Sequence, residues 1–385
     1  MTEAGAGRRL IGVLSVANFA IGMGAFVLIG MLVPVGDSFG ISPGRTGWLM
    51  TTYALSYAVL SPLLVSATGR IGRRRILTIA MAIFALAHVA SAVAPTEFTL
   101  HLTRIVAAAG AGMFTPVSAS VAARLSTPQT QGKTLAWVVF GLTLAQVLGV
   151  PAGSFIAYTF GWRAAMLIVA VLALAMLPLL WRIVPRGLNF QPVSLRELGA
   201  ILRNGPMMLA VTFTATFLAA VYVVYTYFAP LMENGMGYGR DGITALLLMF
   251  GVGAVLGNLM GGWMADRIGP TRTLTILCIA QIALLPLFSL LPLPGIVLAL
   301  LVAVWSATGW SFLAGQQMRI IALRIQAAPV LLALNAAAIY IGAALGSAVG
   351  SGAIALGGLM ALGVTGGLLG LLALGHITLS RRISG

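Results

Sequence analysis

The chain has 385 residues, of which 60% are hydrophobic and 8% are charged, and its formal net charge is +15. Charged residues usually approach a quarter of a soluble domain, so this composition excludes a soluble globular protein and predicts an integral membrane protein. Nucleic-acid binding would need a clustered basic face, whereas the arginines here lie in short turns between apolar runs. The single cysteine, Cys278, excludes a disulfide framework.

Twelve apolar runs are long enough to cross a bilayer. A hydrocarbon core of roughly 30 Å needs about 20 mostly apolar residues, and lipid cannot satisfy backbone polar groups, which predicts helices. Solid apolar runs do not fit the alternating strands of a membrane β-barrel. The first run follows Arg8 and Arg9 and is too long for a signal-peptide core of roughly 7–15 residues. The predicted helices, numbered 1 to 12, span 10–34, 46–67, 76–94, 98–122, 134–158, 162–184, 206–232, 242–264, 273–291, 295–318, 330–352 and 354–379.

The basic residues of the loops predict the orientation. With the amino terminus inside, the cytoplasmic segments hold eighteen of the 22 basic residues, as the excess of Lys and Arg in cytoplasmic loops requires. The predicted outer segments hold Arg45, Arg163 and Arg240, and Arg104 lies within helix 4. We therefore expect a multi-pass protein of the cell (inner) membrane with both termini in the cytoplasm.

The longest polar stretch separates helices 6 and 7. It predicts an N-terminal six-helix half over 1–184, a cytoplasmic linker over 185–205 and a C-terminal six-helix half over 206–385. Within the linker, the segment from Ser194 to Leu198 predicts a short amphipathic helix on the membrane surface.

Two short basic turns, one in each half of the chain, have similar sequences. One runs from Gly262 to Arg272 (GWMADRIGPTR) and the other from Val65 to Arg75 (VSATGRIGRRR). Their Arg-Ile-Gly cores lie 197 residues apart, and two glycines of helix 5 recur at the same offset in helix 11. The two halves of the chain are therefore expected to repeat one structure.

In these residues the chain resembles the major facilitator superfamily, whose loop signature after helices 2 and 8 is G-x-L-a-D-R-x-G-R-[KR]. The second turn keeps Gly262, Asp266, Arg267 and Gly269, whereas the first has Gly69 in place of the aspartate. The resemblance implies an all-α membrane protein with twelve helices in two six-helix halves and a substrate site near the membrane midplane.

The sequence of helix 5 resembles one branch of this superfamily. Gln146, Gly149 and Gly153 lie at spacings of 3 and 4 with Pro151 among them, which is similar to the glycine-proline motif of drug:proton antiporters. The segment from Gly141 to Arg163 resembles the sugar and nucleoside efflux members of that branch. Small residues also allow close helix packing, and this remains the alternative explanation of the glycines.

The resemblance implies that the basic turns and helix 5 act in conformational gating. Asp266 is expected against the cytoplasmic start of helix 5, near Lys133 and Thr134, where a carboxylate favours a helix amino terminus. Because Gly69 stands at the matching position of the first turn, closure should depend on Asp266. The predicted gating residues are Arg70, Gly72, Arg73, Gln146, Gly149, Pro151, Gly153, Gly262, Asp266, Arg267 and Gly269.

Arg104 places a charge inside helix 4. The segment from Arg104 to Gly112 is similar to the superfamily's R-x-x-x-G-x-G-x-G pattern, with Ala108 at the first glycine. An ionisable residue inside a membrane helix indicates function. The alternative is that Arg104, about six residues inside the outer end, snorkels to the membrane surface.

The family places helices 1, 4, 7 and 10 around the cavity, so their polar and aromatic residues are the candidates for substrate contact. Tyr222 and Tyr225 are three residues apart and share a face of helix 7. Aromatic residues of membrane helices are more often core or interface residues than ligands, and Tyr227 and Phe228 fit the interface better. The predicted substrate-binding residues are Asn18, Arg104, Tyr222, Tyr225, Trp305, Thr308 and Asn335.

No acidic residue lies at the midplane of a predicted helix. Proton coupling is therefore assigned to Asp37, Arg104 and Glu233, with Asp37 placed to reach Arg104 from the outer face. His88 and His101 are the other titratable candidates within or beside the helices.

These patterns predict a secondary transporter, and not an enzyme, that exports a small amphipathic solute by alternating access in exchange for protons. A proton-coupled importer, and a membrane receptor or lipid-handling protein on the same fold, are the alternatives. No nucleotide-binding or metal-ligand motif occurs, so no cofactor or metal is expected. The expected partners are a small-molecule substrate, protons and the lipid bilayer, without nucleic acid, and we expect a monomer.

Overall fold

The computed structural model describes residues 3–124, 126, 131–188, 199, 202–324 and 328–384. Among them are twelve helices that are long and apolar enough to cross a membrane, and the prediction of an all-α protein with twelve membrane helices is confirmed. We number these helices α1 to α12. The first six are α1 (Glu3–Phe39), α2 (Pro43–Ala67), α3 (Arg73–Ala92), α4 (Glu97–Arg124), α5 (Gln131–Leu144, continued through Ala145–Gly149 to Val150–Phe160) and α6 (Trp162–Ile183).

The second set of six helices is more interrupted. A short helix, Phe228–Met236, follows α7, and α9 and α10 each change helical form along their length. The set consists of α7 (Gly205–Tyr225), α8 (Arg240–Ile268), α9 (Pro270–Leu284 with Leu285–Leu290), α10 (Gly295–Trp310 with Phe312–Leu323), α11 (Ala328–Gly357) and α12 (Ala361–Ser384).

The chain groups into two compact units. The first unit comprises Met1–Pro34 and Ser56–Val193, and the second comprises Val35–Leu55 and Ser194–Gly385. This grouping differs from the division at 184 and 206 because the ends of α1 and α2 around the first connection pack with the second unit. The short amphipathic helix predicted from Ser194 to Leu198 lies outside the described residues.

Large apolar side chains are exposed on the surfaces of the helices. Leu259 of α8 is 70% exposed, and Val171 and Leu372 are 63% and 64% exposed. Large exposed apolar surface marks contact with a membrane or a partner protein, and on helices of this length it indicates contact with lipid.

Two prolines disturb membrane helices where the sequence places them. Pro34 lies inside α1, which has a non-helical residue at Met31. In α5, the five residues before Val150 form a π-helix, and the backbone N–H of Val150 donates to the carbonyl of Ala145, five residues earlier. Since Pro151 has no N–H and its ring crowds the preceding turn, the wider π turn accommodates it; such turns often occur at functional sites.

Glycines bring pairs of helices into close contact in both units. A Cβ added to Gly141 of α5 would lie 1.9 Å from the carbonyl oxygen of Ser15 in α1. In the second unit, a Cβ on Gly346 of α11 would lie 2.6 Å from the carbonyl oxygen of Ala219 in α7. The helix 5 glycines thus have the packing role that small residues have in membrane helices, and α11 repeats it against α7.

Some predicted helix ends are wrong. The predicted end of helix 11 at 352 and start of helix 12 at 354 are replaced by a break around Gly358, between Gly357 and Ala361. Gly358 has φ +71°, a left-handed conformation that glycine tolerates at helix ends. Arg319, one residue beyond the predicted end of helix 10, lies buried within α10.

We expect an impermeant maleimide to label Arg45→Cys in intact cells but not a cysteine appended after Gly385. The variants are made on a Cys278→Ser background, since Cys278 is the single cysteine and is buried. The expectation follows from the bias of basic residues toward one set of loops. Labelling of the C-terminal cysteine before the membrane is permeabilised would contradict the predicted orientation.

Candidate functional site

Six aromatic side chains from four helices and the short helix meet in the second unit. Tyr225 of α7 stacks on Phe250 of α8 with ring centroids 4.1 Å apart and an interplanar angle of 13°. Trp305 of α10 lies 5.0 Å from Phe288 of α9 and 5.1 Å from Phe250, in both cases edge to face. We call this group the aromatic cluster; its members are Tyr222, Tyr225, Phe228, Phe250, Phe288 and Trp305, all fully buried.

Three polar atoms of the aromatic cluster are buried without a hydrogen-bond partner among the described residues. They are the hydroxyl groups of Tyr222 and Tyr225 and the indole Nε1 of Trp305. Leaving a buried polar group unsatisfied costs about 1–3 kcal/mol, and buried Tyr and Trp usually find a partner. Three such atoms therefore lie within one fully buried cluster.

The predicted residues Thr308 and Asn335 have partners within the protein. Thr308 accepts a hydrogen bond from Nε2 of Gln281 in α9 at 3.2 Å. Asn335 of α11 accepts one from Thr214 of α7 at 2.5 Å, and Nε2 of Gln316 donates to the same threonine at 2.9 Å. These contacts join α9 to α10 and tie α7, α10 and α11 together, and substrate contact by Thr308 and Asn335 stays a prediction. Asn18 of α1 similarly donates to Leu14 and Ser118.

The assignment of Tyr227 and Phe228 to the membrane interface is wrong. Both side chains are fully buried, and the Tyr227 hydroxyl donates to the carbonyl of Ser347 in α11 at 2.7 Å. The rings pack inward because the short helix that begins at Phe228 continues the chain beyond the end of α7.

Arg104 is fully buried in the first unit. Its Nη1 donates to the carbonyl of Gly24 at 2.9 Å and its Nη2 to the carbonyl of Ala25 at 3.3 Å, both in α1. The planar fork of donors on arginine suits two adjacent acceptors. These contacts hold the guanidinium against α1, so the structure does not support the alternative in which it snorkels to the membrane surface.

His88 of α3 lies beside the same stretch of α1. The ring is fully buried, Nδ1 lies 2.8 Å from the carbonyl oxygen of Phe84, and Nε2 has no hydrogen-bond partner among the described residues. A Cβ added to Gly24 would lie 2.5 Å from Nε2. The sequence indicates only that His88 can titrate. The fold shows that the His88 ring and the Arg104 guanidinium both lie against Gly24.

The acidic candidates for proton coupling lie near the end of α1 and in the short helix after α7. Asp37 is exposed near the end of α1, and Glu233 is half-buried in the short helix after α7. Arg104 donates to backbone carbonyls of α1, and the approach of Asp37, which belongs to the second unit, stays a prediction.

The second unit also buries a cation that lies one residue beyond the predicted end of helix 10. Arg319 donates to the hydroxyl of Ser380 in α12 and lies over the ring of Phe213, 5.8 Å from its centroid. Its neighbour His376 contacts Thr216 at 3.0 Å through Nδ1 and the carbonyl of Leu209 at 2.8 Å through Nε2. These contacts join α12 to α7 and α10, and no sequence motif marked them.

Most charged side chains of the two basic turns are exposed. Asp266 and Arg267 are exposed at the end of α8, and Arg267 lies over Trp263 at 5.1 Å from the ring centroid. Gly269 has φ +85°, which favours glycine. In the first turn Arg70 is exposed, whereas Arg73 is buried and its backbone N–H donates to Leu188. The predicted approach of Asp266 to Lys133 involves a side chain outside the described part of the structure.

The remaining predicted gating residues belong to the packed interiors of their helices or to open positions. Gln146 and Gly149 lie in the π turn of α5, Pro151 follows it, and a Cβ on Gly153 would lie 2.1 Å from the side chain of Val27. A Cβ added to Gly72 or Gly262 would meet nothing within 4 Å.

Within the described residues no group of three or more His, Cys, Asp or Glu could hold a metal ion.

Sequence relatives cover almost the whole chain. The inner membrane transport protein YdhP of Escherichia coli O157:H7 is 31% identical over 374 residues, which cover 96% of this chain and 95% of YdhP. The uncharacterised MFS-type transporter YbcL of Bacillus subtilis strain 168 is 28% identical over 338 residues, which cover 88% of this chain and 87% of YbcL.

Solved structures share the fold. A bacterial homologue of the human lysosomal transporter Spinster, in an inward-facing and unoccupied conformation, has a TM-score of 0.79 at 17% identity and covers 99% of this chain and 98% of its own. A D-xylose–proton symporter has a TM-score of 0.77 at 18% identity, and the match covers 95% of this chain and 96% of the symporter chain. Residues 14–347 also match the family model described as Major Facilitator Superfamily. The chain, with twelve membrane helices and these relatives, belongs to the Major Facilitator Superfamily.

Proposed function

We propose that this transporter exports a small amphipathic solute by alternating access in exchange for protons, and that the aromatic cluster of the second unit binds the solute. The observation that carries the proposal is the set of three buried polar atoms without partners: the hydroxyls of Tyr222 and Tyr225 and Nε1 of Trp305. Each is a hydrogen-bond donor, and each sits on an aromatic ring.

These atoms define the chemistry of the solute. The rings of the aromatic cluster offer apolar and stacking surface, which suits a flat or apolar body. The three donors suit a solute that carries hydrogen-bond acceptors at its edge, as nucleosides, sugars and many planar drugs do. Ligand sites commonly combine a mostly apolar lining with a few placed polar groups. The aromatic cluster has this composition.

We expect Tyr222→Phe and Tyr225→Phe to weaken solute binding without lowering stability. Each change removes only a hydroxyl that has no partner among the described residues, so the folded protein loses no hydrogen bond. A lost hydrogen bond to the solute costs about 0.5–1.5 kcal/mol, which is about 2- to 12-fold in affinity. Affinity is measured by Trp fluorescence quenching, and stability by reaction of the buried Cys278 with a thiol dye during heating.

Tyr227→Phe is the matched control. Its hydroxyl donates to Ser347, so this variant should lower the melting temperature and leave solute affinity unchanged. If the Phe variants of Tyr222 and Tyr225 bind every solute of the panel as the unmodified protein does, the aromatic cluster is a packing core and not the binding site.

Export in exchange for protons is supported by the antiporter-like sequence of helix 5 and by the charge buried in α4. The proposal is tested in liposomes with an imposed pH gradient and three probes: tritiated adenosine, tritiated glucose and the dye Hoechst 33342. Probe movement against its gradient, driven by protons moving the opposite way, supports export.

Two other outcomes would name the alternatives. Probe and protons that move in the same direction would identify a proton-coupled importer. Binding without movement would identify a receptor or lipid-handling protein; this alternative remains because no acidic residue lies at the midplane of a predicted helix.

A further inference from the structure

We propose that His88 is the proton-binding residue of this transporter and that it is coupled to Arg104 through the Gly24 carbonyl of α1. The proposal rests on the proton exchange proposed above and assigns the proton to a specific atom, Nε2 of His88. His88 is a buried titratable group that lies beside the same stretch of α1 as Arg104.

The hydrogen bonds of His88 fix which nitrogen is available. Nδ1 lies 2.8 Å from the carbonyl oxygen of Phe84, and a carbonyl can only accept, so Nδ1 carries the hydrogen of the neutral ring. Nε2 therefore presents a lone pair beside the Gly24 backbone, and it accepts no hydrogen bond from the described residues. A buried basic atom without a partner is a place where a proton can bind.

Gly24 connects this atom to Arg104. The Gly24 backbone faces the His88 ring, and the space beside Nε2 is so small that a Cβ on Gly24 would lie 2.5 Å away. The carbonyl of Gly24 already accepts from Nη1 of Arg104 at 2.9 Å. A protonated Nε2–H would donate to the same carbonyl, so the imidazolium and the guanidinium would compete for one acceptor.

Electrostatics makes proton uptake depend on the position of Arg104. Two positive charges a few ångströms apart repel strongly in a low-dielectric interior, and Arg104 is the charged side chain that acts on His88. His88 therefore takes up a proton only as the guanidinium of Arg104 moves away from Gly24. On α6, which also packs against α3, the charged residues are Arg163 and Arg182 near its two ends. On α3 itself they are the three arginines of its first turn.

The exchange step balances without any further reactant. A proton from water on one side of the membrane binds Nε2, and the imidazolium takes the Gly24 carbonyl. Arg104 is displaced from Gly24 and keeps its bond to Ala25. When the site opens to the other side, Nε2 releases the proton to water, and Nη1 of Arg104 returns to Gly24. The position of Arg104 against α1 thus follows the protonation of His88.

The second unit provides a matched control. His376 is also a histidine of a membrane helix, but both of its ring nitrogens have partners, Thr216 and the carbonyl of Leu209. The position that corresponds to His88 after the 197-residue offset is Leu285. His376 also lies near a buried arginine, Arg319, so the feature that distinguishes His88 is its Nε2, which is unpartnered among the described residues.

The test compares His88→Gln with His376→Gln in liposomes, using the three probes named above. With one-for-one exchange, a gradient of about one pH unit supports about tenfold accumulation. We expect the unmodified protein and His376→Gln to reach that ratio. His88→Gln should reach a ratio of about one, while it still carries the probe down its own gradient. A histidine that only fills space would lower both modes together and would leave the accumulation ratio intact.

The outcomes separate the two proposals. If the unmodified protein does not respond to the pH gradient, the proposed proton exchange fails. If it responds and His88→Gln accumulates the probe equally well, the assignment of His88 fails. Should His88→Gln be inactive in both modes, ¹⁵N NMR of the imidazoles decides, since the chain has 3 histidines. A His88 signal that stays neutral between about pH 5 and about pH 9 would overturn the proposal.

Discussion

Arg104→Gln should abolish probe transport and leave a folded protein in the membrane. The change removes the charge and the two-pronged contact with the carbonyls of Gly24 and Ala25. Hydrogen bonds to charged groups contribute about 1.5–3 kcal/mol each, so loss of both should reduce transport by more than about 100-fold if the contact is needed in the cycle. Initial rates in liposomes give the transport loss, and binding of each probe shows whether the substrate site survives.

Arg104→Lys distinguishes charge from geometry. Lysine keeps the charge but is a point donor that cannot reproduce the fork of arginine, so we expect partial transport from it. Arg163→Gln is the control, because Arg163 is exposed and donates to the carbonyl of Ala94 at 3.1 Å. If Arg104→Gln transports at the rate of Arg163→Gln, Arg104 has a packing role alone.

Hydropathy predicted the helices because the membrane imposes one requirement on every spanning segment. A lipid-exposed backbone must form its own hydrogen bonds over about 20 residues, and that requirement is local in sequence. The ends of helices depend on less regular features. The break between α11 and α12 depends on a left-handed glycine, Gly358, which nothing distinguishes from the many other glycines of the chain.

The candidate site was predicted in part, for a reason that the aromatic cluster illustrates. The spacing of Tyr222 and Tyr225 placed them on one face of helix 7, and they are 5.6 Å apart in the structure. Phe250 and Phe288 complete the cluster from α8 and α9, and no local pattern connects residues so far apart in sequence. The same limit explains why the partners of Asn335 and Thr308 were not foreseen.

For Arg104 and His88, the sequence does not reveal which groups each side chain contacts. The sequence indicated that a buried charge in helix 4 is significant, but its acceptors are backbone carbonyls of α1, which carry no sequence signal. Only Gly24 offers a trace, because a side chain there would collide with His88 and Phe84. A glycine inside a membrane helix has many explanations, so the sequence alone does not show why position 24 is a glycine. The packed structure shows the reason.

Gly257→Ala should prevent α8 from packing against α10. A Cβ at Gly257 would lie 2.1 Å from the carbonyl oxygen of Ala307 and 2.8 Å from its carbonyl carbon. These are backbone atoms of a neighbouring helix, so relief requires the two helices to separate. Overpacking usually costs about 1–3 kcal/mol, and separation also strains the hydrogen bond from Ser311 to the Gly257 carbonyl, 2.7 Å long. We expect a large fall in melting temperature or no folded protein.

Gly262→Ala is the matched control for Gly257→Ala, since both residues lie in α8 and the change is the same. A Cβ at Gly262 would meet nothing within 4 Å, and alanine stabilises a helix interior by roughly 0.5–1 kcal/mol relative to glycine. Its melting temperature should therefore be unchanged or higher, as measured with the buried Cys278 and a thiol dye. Equal melting temperatures for the two variants would mean that α8 and α10 are not in the close contact described. If Gly262→Ala is stable but transports slowly, the deficit belongs to the loop motif itself, because packing cannot explain it.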